Sequence, residues 1–77
     1  MESVVLENVF STITELFVGD KVRFYDGSSR CSGVVREIMV DNSGRATRDH
    51  RVSVSLIKHD SNGLVVVPAE NLISFDE

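Results

Sequence analysis

Seventy-seven residues with a net charge of −4, 42% hydrophobic content and a lone cysteine, Cys31, make a single small domain and exclude a disulfide-stapled secreted scaffold. No apolar run approaches the roughly 18 residues of a membrane span. Glu2 and Glu7 stand where a signal peptide carries positive charge, so the expectation is a soluble intracellular, cytoplasmic protein. A chain of this length buries only about 60% of the surface its unfolded form exposes, which asks for an efficient core or a partner.

The first segment has helical periodicity. On a wheel of about 100° per residue, Val5, Leu6, Val9, Phe10, Ile13, Leu16 and Phe17 fall within an arc of about 140°. Glu7, Asn8, Ser11, Thr12, Thr14 and Glu15 take the other side. Ser3 supplies a cap, and the acidic residues beside it suit the positive end of a helix dipole. The pattern predicts an amphipathic helix over about residues 4–16, against the mediocre helix propensity of Val, Thr and Ile.

Strand signals follow. Gly19-Asp20 is a turn, after which Val22 and Phe24 alternate with Lys21, Arg23 and Tyr25, as a half-buried strand requires. Asp26 to Arg30 is a loop. A second strand over about 32–40 has Val34, Ile38 and Val40 on one face and Val35 and Met39 on the other, which fits a central strand or one bent at Gly33. Residues 41–49 form a long polar loop. Val52, Val54 and Leu56 then alternate with Ser53 and Ser55, and His59 to Gly63 is a turn carrying the Asn-Gly hairpin signal. Leu64 to Val67 is a fourth strand, stopped by Pro68, which has no N–H to give to a ladder. Ala69-Glu70-Asn71 suits one helical turn, and Leu72 to Phe75 is the last strand.

This order of elements resembles the SH3-like small barrels over residues 18–75. Val18 to Phe24, Gly27 and Gly33 to Ile38 look like the opening of a KOW segment, and Val67 to Ile73 is similar to the closing part of many such barrels, including small photosynthetic stromal subunits. The resemblance implies a mainly β protein: a five-stranded SH3-like barrel over 18–77 preceded by the amphipathic helix over 1–17, in one compact domain.

Chemistry-bearing residues are sparse. His50 and His59 fall near opposite ends of the third strand, and neither they, Cys31 nor the scattered acids form a triad or a metal-ligand pattern. Gly27-Ser28-Ser29-Arg30 is better read as a solvated turn than as a phosphate loop. No enzyme activity, cofactor or metal is expected. With no Trp and a single Tyr, the aromatic groove of a proline-rich-peptide reader and the cage of a methyl-lysine reader are both missing.

Charge is divided along the chain. Residues 1–20 and 60–77 each carry four acids and no base, whereas all eight basic residues lie between Lys21 and Lys58. Arg45, Arg48, His50 and Arg51 cluster around the long loop, and Arg23, Tyr25, Arg30, Arg36 and Lys58 extend that surface as possible anion or nucleic-acid contacts. The acidic balance and the scarcity of aromatics argue against nucleic acid as the main partner. The second surface is the helix stripe with Phe10, Ile13 and Phe17. It either closes an open barrel end, the favoured reading, or packs on a partner or a second copy.

The sequence therefore points to a non-catalytic accessory or regulatory subunit that binds a protein through the helix stripe and the Arg45–Arg51 loop. The alternative is a KOW-like module touching RNA, DNA or a ribonucleoprotein in transcription or translation. A bacterial, organellar or phage source suits so short a chain, and no membrane role is expected.

Overall fold

The structure, a computed structural model, describes residues 2–7, 9–41 and 52–76. Among the described residues there are seven strands: β1 (Ser3–Leu6), β2 (Thr14–Phe17), β3 (Lys21–Asp26), β4 (Ser29–Val40), β5 (Val52–Lys58), β6 (Leu64–Pro68) and β7 (Leu72–Phe75), with a 3-10 turn at Ala69–Asn71. β1 and β2 form a two-stranded sheet. The other five form a second sheet in the order β6-β5-β4-β3-β7, antiparallel throughout.

The alternation in β3 is realised directly. Val22 and Phe24 are fully buried, while Lys21, Arg23 and Tyr25 face solvent. Asp26 pairs with Ser29 across the two-residue turn Gly27-Ser28. Gly27 has φ +63°, a positive value at the position where a II′ hairpin calls for glycine. β4 carries the correction to the two-faced pattern in its sequence. Its register with β5 shifts between Val35 and Glu37, so Arg36 is the extra residue of a β-bulge. The bulge resets the alternation, and Val35 before it and Ile38 after it both reach the core. The bend lies at Arg36 rather than at Gly33. Gly33 instead permits close packing, because a Cβ there would stand 2.5 Å from the Ile57 carbonyl oxygen.

The N-terminal helix predicted over residues 1–17 is not formed. β1 and β2 pair instead as a β-hairpin, with Ser3 opposite Phe17, Val4 opposite Leu16, Val5 opposite Glu15 and Leu6 opposite Thr14. The physical reason lies in composition and in partners. Val4, Val5, Ile13 and Thr14 are β-branched residues that favour the pleated surface, and Leu6 and Leu16 find complete burial there. Val9 and Phe10, adjacent and so incompatible with one face of a strand, lie in the connection between the strands and pack on the same core. Ser11, at φ +66°, turns the chain back.

The expected closed barrel is not formed either. β6 and β7 are the two edges of an open sheet, and no ladder joins them. The hairpin contributes Leu6 and Leu16 to the core made by Val22, Phe24, Val35, Leu56 and Leu72 of the larger sheet, so a second layer covers what closure would otherwise bury. The connection from the hairpin into β3 is tied down by backbone bonds, Gly19 N–H to the Val35 carbonyl at 2.8 Å and Val35 N–H to that of Asp20 at 2.9 Å, while Val18 N–H to the Glu2 carbonyl at 3.0 Å extends the hairpin's own ladder. The Glu2 carboxylate accepts the N–H of Ile38, just past the bulge, at 3.1 Å. Phe10 stacks on Phe75 with ring centroids 5.1 Å apart.

These findings remove the SH3-like and KOW-like resemblance as a basis for function. An accessory subunit acting through an SH3-like barrel and a KOW module on RNA or DNA both lose their scaffold. Self-association through an N-terminal helix has no helix to use. Among the described residues no helix is long and apolar enough to cross a membrane.

Candidate anion-binding groove

The outward face of β3 sets the site. Arg23 lies opposite Ser32 of β4 on one side and Ser74 of β7 on the other, and Tyr25 lies opposite Arg30. Directly opposed residues on one face of a sheet are close enough to touch, so two guanidinium groups, two hydroxyls and a phenol ring share one surface. The β3–β7 ladder shifts register between Arg23 and Phe24, which leaves Ile73 as the extra residue beside Arg23. Arg23, Arg30, Cys31, Ser32, Ile73 and Ser74 line an open groove of about 360 Å³.

Each cation is positioned without being consumed. The Arg23 Nε lies 3.4 Å from the Asp76 carboxylate, and its side chain stays 61% exposed, so the pair is a loose surface contact of small energetic weight. Arg30 stands over the Tyr25 ring, 5.9 Å from its centroid, a cation–π arrangement that orients the guanidinium and leaves its N–H groups free to donate. The Tyr25 backbone is fixed from the far side, where the Asn71 side-chain amide donates to its carbonyl at 3.1 Å. The Asp76 N–H donates to the Lys21 carbonyl at 2.9 Å, extending the β3–β7 ladder beneath Arg23.

The structure thus brings together three of the five residues read as anion contacts, Arg23, Arg30 and Tyr25, and separates the other two. Arg36 projects from the bulge of β4, outside the groove. Lys58, opposite Gly33 on β5, is paired with Asp26, and hydrogen bonding to that carboxylate is the main reason its ammonium pKa is raised. Arg45, Arg48, His50 and Arg51 lie outside the described residues. Of the hairpin residues read as contacts, Phe10 is spent on Phe75 and the core, Phe17 is half-buried opposite Ser3, and Ile13 is exposed.

Ser32, Ile73, Ser74 and Cys31 were invisible as site residues in the sequence. Their proximity to Arg23 depends on which strand pairs with β3 and in which register. The serines did carry one local signal, a polar residue at an outward position of a strand. Among the described residues no group of three or more His, Cys, Asp or Glu side chains is placed to hold a metal ion. What the groove offers is hydrogen-bond donation from two cations and two hydroxyls next to an aromatic edge. No family model matches the chain, and neither does any curated protein or solved structure.

Proposed function

We propose that this chain is a non-catalytic binding domain that takes a small anionic ligand, one bearing a carboxylate or phosphate group, on the outer face of β3, β4 and β7. The observation that carries the reading is the convergence of Arg23 and Arg30 on one open groove with Ser32 and Ser74 between and beside them. Guanidinium groups present planar forks of donors that match carboxylate and phosphate oxygens two at a time, and serine hydroxyls complete the coordination of an oxyanion. Tyr25, whose ring lies under Arg30, orients that guanidinium beside the groove. Asp76 supplies specificity by repelling a second negative charge placed near Arg23.

Amide NMR spectra recorded while inorganic phosphate, and separately benzoate, is added provide the test. The expected result is saturable shifts confined to Arg23, Arg30, Ser32, Ser74 and their neighbours, with affinity reduced about tenfold in Arg23→Gln or Arg30→Gln, the scale of a lost charge-assisted hydrogen bond. Shifts that never saturate, spread evenly over every basic residue, or persist in the double variant would overturn the proposal.

A further inference from the structure

We infer that β6 is the contact strand of a weak two-fold dimer, formed by antiparallel pairing of its free edge with the same strand of a second copy. The pairing of β6 with β5 decides which of its backbone groups face outward. Among the described residues β6 has β5 as its one neighbour in the sheet, and its pairs run from Ser53–Pro68 to Ile57–Leu64. The Lys58 N–H donates to the Gly63 carbonyl at 2.8 Å, so Lys58 and Gly63 form a hydrogen-bonded pair. Hydrogen-bonded and non-hydrogen-bonded pairs alternate along an antiparallel ladder. Val65 and Val67 therefore bond to β5, and Leu64, Val66 and Pro68 direct their backbone groups away from it.

That outward edge carries two N–H donors, from Leu64 and Val66, and three carbonyl acceptors, the third from Pro68. Proline has no donor, which is why it is tolerated at an outward-facing edge position. A two-fold axis through Val66 uses every donor. Val66 exchanges two bonds with its own copy, and each Leu64 N–H meets the partner's Pro68 carbonyl. An axis through Val65, which sets Leu64 opposite the partner's Val66, would use the same donors; the Val66 axis is the register in which Val66 faces itself, and mixing oppositely charged variants at position 66 separates the two.

The side chains agree with a second copy as the occupant. Between Asn62 and Ala69 there is no charged residue, so self-pairing opposes no like charges, although the chain as a whole carries −4. Edge strands that avoid self-association are protected by charge, by shortness or by proline; this one bears no charge, and its one proline leaves both outward N–H donors paired in the Val66 register. Leu64 and Val66 are 61% and 57% exposed, on the same face of the sheet, and the two-fold sets each Val66 directly against the other. Such a contact is isologous and closed. A five-residue strand covers much less than the roughly 800 Å² per partner of a stable complex, so the dimer dissociates at micromolar concentration. The contact lies on the sheet edge away from β7, and it neither uses nor requires the anion groove.

The two-fold makes position 66 self-facing, which gives a decisive experiment. Sedimentation velocity is run from about 10 μM to about 1 mM, the range in which a weak complex forms, at about 0.15 M salt to limit long-range repulsion. The wild-type chain is expected to pass from monomer to dimer. Val66→Lys alone and Val66→Glu alone are expected to stay monomeric, and an equimolar mixture of the two is expected to dimerise again. Amide exchange at Leu64 and Val66 should slow as wild-type concentration rises, while that at Val65 and Val67 stays constant. A wild-type chain that remains monomeric, a Val66→Lys variant that dimerises like wild type, or a mixture that fails to associate would each overturn the inference. Circular dichroism of both variants confirms that these exposed substitutions leave the sheet folded.

Discussion

At the scale of single residues, the tightest geometric demand is at Gly33. A methyl group there would stand 2.5 Å from the Ile57 carbonyl oxygen and 3.2 Å from the Phe24 ring. The oxygen belongs to the backbone of the neighbouring strand, so it cannot swing aside as a side chain would. Gly33→Ala is therefore expected to destabilise the fold by about 1–3 kcal/mol, the usual range for overpacking. The midpoint of urea unfolding checks this, and a variant as stable as wild type would show that β4 and β5 can separate locally. Gly27 is constrained differently, by its φ of +63° in open space, so a substitution there acts through backbone strain alone. Glu2 is a third kind of case. Its carboxylate accepts the Ile38 N–H past the bulge, on a part of β4 that runs beyond its ladder with β3, whose last pair is Lys21–Val34.

At the scale of elements, the hairpin of β1 and β2 decides how the core is covered. A helix over residues 4–16 would place Ile13 on the apolar face beside Leu6 and Leu16. In the hairpin Ile13 is 77% exposed, whereas Leu6 and Leu16 are completely buried. The two arrangements predict different energetics. Leu16→Ala is expected to cost about 2–5 kcal/mol, as buried leucine truncations do, and Ile13→Ser is expected to change stability by no more than about 0.5 kcal/mol, as surface substitutions do. Chemical denaturation of both variants tests the pair, and a large loss at Ile13 would contradict the hairpin. The bulge in β4 acts at the same scale. One extra residue, Arg36, turns an apparently two-faced apolar strand into a regular one whose Val35 and Ile38 both point inward.

At the scale of the whole molecule, two open sheets share one core. Leu6 and Leu16 from the smaller sheet and Val22, Phe24 and Leu56 from the larger one belong to a single buried cluster; backbone bonds hold Gly19 and Asp20 to Val35, and the Glu2 carboxylate reaches the Ile38 N–H. The smaller layer has no apolar core without the larger, and the larger would leave core side chains uncovered without Leu6 and Leu16. The domain is therefore expected to unfold in one cooperative transition: near-ultraviolet circular dichroism from Tyr25 and amide resonances of β1–β2 should lose their native signals at the same denaturant concentration. Earlier loss of the hairpin signals would mean that the five-stranded sheet is self-sufficient.

The sequence alone determined the features that depend on near neighbours. Val22 and Phe24 alternate with polar residues, so β3 was legible, and Val52, Val54 and Leu56 made β5 legible for the same reason. Pro68 followed by Ala69-Glu70-Asn71 marked the end of β6 and the 3-10 turn, because a missing donor and a local helical preference act within a few residues. Tertiary structure decided the rest. The period of the apolar residues in 4–17 fitted a helix, and only burial against the larger sheet selects a hairpin from β-branched residues that tolerate both. Whether the sheet closes, where β4 bulges, and which residues surround Arg23 are set by pairings between strands far apart in the chain. Arg23, Ser32 and Ser74 carry no mutual signal in sequence; they become one groove because the core fixes the register of β3 against both β4 and β7, and a one-residue slip in either ladder would point their side chains to opposite faces.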